Sequence, residues 1–500
     1  MKGVPRRVSR RTLLRGLVGI AGVGISSASL SGCASADKAN KVSASGAARS
    51  MYRSVANFRP PAITLEVRAP GVAPGVVLTD CHDGTGQQGL MIIGPEGDLV
   101  WYKPLSDHGS PSLRGFNLRV QQFRGHPVLT WYEGPVVAGH GDGHYIIADT
   151  SYRQIATVAA TNGMMGDLHD FFLTDRGTAI FTVYGTGTAD LSGLGGAREG
   201  AYYYGEVQEV DVASGKLLFS WRSDHHVEFN ESYSTLPTNT AAVWDYFHIN
   251  SIGIDPSDDN LVVSSRNCWT IYKLNRKTGT VMWRLGGKRN DFSMGPDTHF
   301  AYQHHVTPYS GGIYTIFDNE SSPLVRPPSR ALVLQVDEVQ RHATLAHQFH
   351  HSPPVTSGSS GTVQILPDGH TFVGWGTSTY FTEYAPSGRV LFDGHLTGAG
   401  LVSYRAFKQP WSAQPSEPPA VAVERSRHTT IVYVTWNGAT EVTHWRVLAA
   451  ESAGGLQVVA TTPKSGFETR IVLATRPSHV AVEALDGTGR VLGRSSVQHL

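Results

Sequence analysis

Cysteine is nearly absent: the 500 residues hold three, Cys33, Cys81 and Cys268. So few exclude a disulfide-stapled scaffold and a cysteine-rich zinc site, and spacing alone does not decide whether Cys81 and Cys268 pair. Net charge is lacking too, with 42 basic residues against 41 acidic. Six of the basic ones (Lys2, Arg6, Arg7, Arg10, Arg11, Arg15) fall within the first 32 residues, which hold no acid. The remainder has 36 basic against 41 acidic residues, a formal charge of −5. A surface of that sign offers no electrostatic footprint for nucleic acid. No long stretch keeps the helical period.

What is present begins with an export signal. The stretch "SRRTLLRG" carries the pair Arg10-Arg11, and the apolar run Leu17 to Leu30 behind it is too short to span a bilayer. It ends in "LSGC", which resembles a lipobox, in which cleavage before Cys33 and acylation of its thiol anchor the mature chain. We expect residues 1–33 to be a twin-arginine signal peptide with lipobox, and the Ser/Ala-rich residues 34–57 to be a flexible tether. That places the protein outside the cytoplasm, on the outer face of the cell membrane.

From about residue 63 to 408, short β-branched and aromatic runs alternate with Gly, Pro and Asp. One unit recurs: strand, tight turn, strand, variable loop, strand, tight turn, and a strand often ending in Trp. "FHINSIGIDPSDDNLVVSSRNCWTIYKLNRKTGTVMWRLGG" is the clearest copy, and weaker ones occupy Val76–Lys103 and Phe116–Val158. Six such units predict an all-β chain with a six-bladed β-propeller over 58–408. A Pro/Ser-rich linker, 409–419, leads to a small immunoglobulin/fibronectin-like β-sandwich over 420–500.

Within each unit the first-to-second and third-to-fourth turns are minimal ("TDRG", "ASG", "KTG", "PSG"), whereas the connections on the other face are long. Added chain on one face of a rigid scaffold is where binding and chemistry concentrate. Three successive units place a histidine there: His169 in "LHD", His248 in "FHIN" and His304 in "QHH". Second strands return to the same face, bringing Tyr184, Arg266, Asp318-Asn319 and Trp375. A metal centre is the alternative, with His140, Asp142 and His144 in "GHGDGH" and the pairs His225-His226, His304-His305 and His350-His351. Adjacent histidines on a strand point to opposite faces, so each pair gives one ligand to a site. An arginine beside the centre suits an anion better than a cation, and we expect no metal.

At "LHDFF", "FHINSI", "SSRNCWTIYKLNRKTGTVMWRLGG" and "YQHHVTPYSGGIYTIFDN" the chain resembles the bacterial arylsulfate sulfotransferases, especially their actinobacterial and fungal-type branch. The resemblance spans about residues 60–408. It implies transfer of a sulfuryl group from an aryl sulfate donor to a phenolic acceptor, with no cofactor and no nucleotide sulfate carrier. His304 would be the nucleophile, Arg266 the partner of the sulfuryl oxygens, and His248 and His169 the proton-handling groups. Asn319, Asp318, Tyr184 and Trp375 would contact substrate. The classical enzymes' N-terminal β domain has no counterpart here. Rival readings are a surface-anchored binding propeller without turnover and a metal-dependent hydrolase using His140 and His144.

Overall fold

A computed structural model of the chain describes residues 52–105, 113–239 and 241–500. The signal segment, Cys33 and residues 34–51 of the tether lie outside the described residues. Residues 52–57 are held in place: Ser54 donates from Oγ to Glu468 at 2.6 Å, and the ring of Tyr52 packs 4.7 Å from that of Phe467.

The described residues form sheets that are antiparallel except where the short strands Trp244–Asp245 and Ser293–Met294 pair in parallel, with no helix long or apolar enough to cross a membrane. Six of these sheets, all of four or five strands, fall within residues 62–409. Five open on strands Arg114–Phe123, Gly166–Leu173, Ile249–Ile254, His304–Tyr309 and Thr362–Ile365, and the first four strands of each run outward in chain order. The remaining one breaks the pattern. Its first strand, Ala406–Gln409, comes from the far end of the repeat and pairs with Val76–Cys81, while Ala62–Arg68 adds a fifth strand to the Thr362–Ile365 sheet. The unit at Val76–Lys103 therefore supplies three strands of its own sheet, not four. Each opening strand packs against the next, and Ala406–Gln409 packs against Arg114–Phe123, so the six form a ring.

Local chemistry explains the tight turns. In "NRKTG", Asn275 accepts from the N–H groups of Lys277 and Thr278 at 3.0 Å each, and Gly279 takes the left-handed φ of +74° that a Cβ disfavours. Packing between sheets rests on aromatics. Trp221 lies with Phe247 and Ile249 of the following sheet, and Trp283 with Val306 and Tyr314 of the one after. Each such side chain contributes about 2–3 kcal/mol by leaving water. Two further sheets, of three and five strands, occupy Ala420–Arg425 through Gln498–His499 and share a core of Val432, Trp445, Val447, Ile471 and Val482.

The axis of the ring is filled by charge. Asp170 accepts at Oδ1 from Arg119 at 2.6 Å and from Arg405 at 3.2 Å, and at Oδ2 from the N–H of Ile252 at 3.0 Å. Arg405 also donates to Asn117 Oδ1 and to the carbonyl of Asn250. Burial alone would raise the Asp170 carboxyl, but the guanidiniums of Arg405 and Arg119 hold it below its ordinary value. All three side chains are nearly inaccessible, so this plug knits four opening strands or their flanks together. Asp170→Ala leaves two buried guanidiniums sharing no carboxylate and is expected to cost about 3–5 kcal/mol of stability, read by chemical denaturation. An Asp170→Ala protein that unfolds at the parental denaturant concentration would remove the plug from this account.

Candidate active site

The three sequence-predicted histidines meet on the side of the plug where the long connections lie. The rings of His169 and His248 are 5.0 Å apart, and His304 feels both of them and Arg266 electrostatically. Backbone geometry sets their directions. His248 sits at φ +52° immediately before its strand, and His305 at φ +46° inside a bulge between His304 and Thr307. Left-handed φ at such residues is a strain that persists where surrounding structure imposes it. The bulge sends the adjacent pair apart. His304 meets Asn319, whereas His305 faces the plug and lines a cavity of about 420 Å³ with Arg119, Phe172, Tyr309 and Phe407.

Each histidine is pinned at Nδ1. For His169 the partner is Asp167 Oδ2 at 2.8 Å, for His248 it is Asp245 Oδ2 at 2.5 Å, and for His304 it is Asn319 Oδ1 at 2.7 Å. A carboxylate only accepts, so the first two carry hydrogen on Nδ1. The amide of Asn319 is oriented by its own donations from Nδ2 to the carbonyls of Ser357 at 2.9 Å and Ser360 at 3.2 Å, leaving Oδ1 as an acceptor for His304. In all three rings Nε2 is therefore the lone-pair nitrogen.

The partners differ in charge, and that divides the work. Asp167 and Asp245 set a full negative charge against an imidazolium, whereas the Asn319 amide offers only a neutral acceptor whose pull is outweighed by burial and Arg266. Burial, reinforced by the positive charge of Arg266, pushes the His304 imidazole well below its ordinary value, so it stays neutral and nucleophilic. Burial pushes His248 down to about 4 against the pull of Asp245. Asp167 feels burial raising it, but His169 and donated hydrogen bonds from His169 and Gly141 hold it down to about 2, so it remains a carboxylate.

Arg266 is buried, with 6% exposure, and among the described residues no carboxylate lies within ion-pair distance of it. It donates to Asn267 Oδ1 at 3.0 Å and, at the long distances of 3.3 and 3.5 Å, to the carbonyls of Ser322 and Gly358. The guanidinium lies over the Tyr302 ring at 4.6 Å, and its buried Nε has no partner. A desolvated cation without a counter-charge is a seat for an anion.

Two residues given above as substrate-binding are instead spent on structure. Asp318 accepts from the N–H of Ala301 at 3.0 Å and from Arg330 Nε at 2.9 Å, using both oxygens. Trp375 has no exposed surface; it donates to Thr382 at 2.9 Å and packs edge-on to Phe317. Asn319 acts on His304 through a hydrogen bond. Tyr184 remains at the cluster, stacked 3.8 Å from His140 and donating to the carbonyl of Ile249 at 2.6 Å.

Sequence reasoning missed Asp167 and Asp245, although an aspartate two or three residues before a histidine in "DLH" and "DYFH" was a usable signal. It also set His140 beside Asp142 and His144. Among the described residues, the donor atoms gathered within 4.8 Å are those of His140, Asp245 and His248, and neither Asp142 nor His144 joins them. Asp245 Oδ2 lies 3.1 Å from His140 Nε2 as well as 2.5 Å from His248 Nδ1. Those are N–H···O separations, with the carboxylate oxygen itself between the rings where an ion would have to sit.

Several solved structures are weakly similar to the chain. A protein of unknown function from Bacteroides caccae is 10% identical, with a TM-score of 0.40, over 67% of this chain and 100% of its own. A streptogramin B lyase is 9% identical, with a TM-score of 0.34, over 68% and 89%. The β-propeller domain of Myceliophteria thermophila Cps50 (Swd1) is 8% identical, with a TM-score of 0.27, over 67% and 88%. Likenesses this weak carry no argument. No curated protein matches the chain. A family model does: that of the arylsulfotransferases (ASST) matches residues 119–397, more than half of the chain and a stretch that contains all three histidines, their Nδ1 partners and Arg266. The chain belongs to the arylsulfotransferase family.

Proposed function

We propose that the protein moves a sulfuryl group between phenols in two half-reactions through a sulfohistidine on His304, without a nucleotide sulfate carrier. We read the ring of six sheets as a six-bladed β-propeller, the last two sheets as a small β-sandwich, and the chain as one of the actinobacterial and fungal-type branch. Export and anchoring through Cys33 belong to the same reading and rest on the N-terminal sequence signals.

The observation that carries the proposal is the buried Arg266, with no carboxylate at ion-pair distance among the described residues, beside a neutral His304 whose Nδ1 is taken by Asn319, so that the ring's lone pair is on Nε2. The donor's sulfate oxygens would lie on Arg266. Nε2 attacks sulfur, the sulfur–aryl-oxygen bond breaks, and the departing phenolate takes up the Nε2 proton that His248 or His169 received from the previous acceptor. In the second half, the acceptor phenol gives its proton back to that histidine, its oxygen attacks sulfur, and the N–S bond breaks to restore His304. Protons and sulfuryl groups balance across the cycle, so nothing else is consumed.

The test is release of phenolate from a chromogenic aryl sulfate with and without a second phenol. Release that depends on the acceptor, with sulfate recovered on it, is the expected result. Release independent of acceptor, with free sulfate formed, would make the protein a hydrolase, and no release from several donors would end the reading.

A further inference from the structure

We infer that Asp245 and His140 are positioning residues for His248: the carboxylate fixes the His248 ring with Nε2 toward the reacting group, and His140, sharing the same oxygen, draws off part of the carboxylate's hold. The inference rests on the transfer chemistry proposed above and deepens it.

Three separate sheets supply the trio. Asp245 belongs to the short strand Trp244–Asp245, which pairs in parallel with Tyr202 and Tyr203 of the sheet that opens on Gly166–Leu173. His140 sits in the two-residue strand His140–Gly141, paired with Val136–Val137 in an excursion from the sheet that opens on Arg114–Phe123. His248 leads into the opening strand Ile249–Ile254. All three converge on one atom, Asp245 Oδ2, at 2.5 Å from His248 Nδ1 and 3.1 Å from His140 Nε2. The other oxygen, Oδ1, is buried without a partner. The negative charge of the carboxylate is thus answered by two imidazole N–H groups on one side.

Two donors on one acceptor weaken each other, since each withdraws charge the other would use. Nε2 of His140 is committed to Asp245. Its ring is 5% exposed, stacked on Tyr184 at 3.8 Å and edge-on to Tyr203 at 4.6 Å. Whatever it does to the reaction, it does through Asp245. The other ionisable groups facing His248 are His169, His304 and Tyr184, and those facing His140 are Asp167, Tyr184 and Tyr203. In chemical terms, Asp245 lets His248 Nε2 take the acceptor's phenolic proton as the O–S bond forms. His140 keeps that proton loose enough to be returned to the next donor's departing phenolate.

The experiment compares kcat/KM against pH for the parent, His140→Phe, His140→Gln and Asp245→Asn, alongside 15N NMR titration of histidine-labelled protein. Loss of the shared donor in His140→Phe is expected to move the acid limb and the His248 titration up by about one pH unit. In His140→Gln the amide N–H takes the place of Nε2–H, and both are expected to stay at the parental position. Asp245→Asn is expected to move them down, to lose the Nδ1–H signature of His248, and to lower kcat by about 10²-fold with KM kept. An acid limb and a His248 titration that stay put in His140→Phe while activity falls would reduce His140 to packing and overturn the inference. Loss of activity on chelation, restored by zinc, would make the trio a metal site and overturn it as well. Because the NMR titration needs no turnover, it decides the matter even if no aryl sulfate reacts.

Discussion

His304→Ala is expected to lower kcat/KM for acceptor-dependent transfer by ~10⁴-fold or more. The loss is one of route rather than binding. Arg266 and the two carboxylate-held histidines remain in the variant, so donor still binds and its phenolate can still be protonated. What disappears is the lone pair that accepts the sulfuryl group, and direct transfer between two phenols would need both in the site at once. The variant should accordingly keep its affinity for aryl sulfate while failing to become labelled. Incubating the parent with donor alone and weighing the intact protein should show one added sulfuryl group on His304, absent from the variant. A variant that turns over at the parental rate would remove His304 as nucleophile.

Arg266→Met is expected to lower kcat by about 10²–10³-fold and, unlike most buried substitutions, to leave the unfolding temperature no lower than the parent's. Both halves follow from one fact. A guanidinium buried without a carboxylate is a cost to folding, borne here because charge on the sulfuryl oxygens shifts as the S–O bond breaks and a fixed planar cation stabilises that change. Arg266→Lys should recover only part of the activity, because an ammonium cannot present two parallel N–H groups and the Tyr302 face is shaped for a flat ion. Steady-state kinetics and thermal unfolding on the same preparations check both halves. Parental kcat in Arg266→Met would show that the sulfuryl oxygens are held elsewhere.

Much of the sheet pattern was legible because it is local. A strand, an Asx turn with Gly in the left-handed position and a returning strand form one contiguous signal, as in Leu261 to Gly286. The strand Ala406–Gln409 was not legible as the first of its sheet, since its partner lies more than 300 residues earlier and no short-range pattern records such a pairing. The same division holds in the site. His169, His248 and His304 could be placed because each lies in the first half of an opening strand or immediately before it. That Asp245 serves His140 as well as His248 depends on a contact across 105 residues. Trp375 and Asp318 occupy the right ends of the right strands, but alternation along a strand decides which side chains turn inward, and theirs were taken by the core and by Arg330.

The plug of Arg119, Asp170 and Arg405 has a bearing on traffic. Because it closes the axis behind the histidines, whatever enters from the long-connection face must leave by the way it came. In the two-step transfer proposed above, a spent phenol would stand between the sulfated protein and the next acceptor, and a donor arriving too soon would stand in the same place. Queueing at a single door would make the strict alternation of the two half-reactions a matter of architecture as much as of chemistry, with excess of either phenol slowing the other's turn.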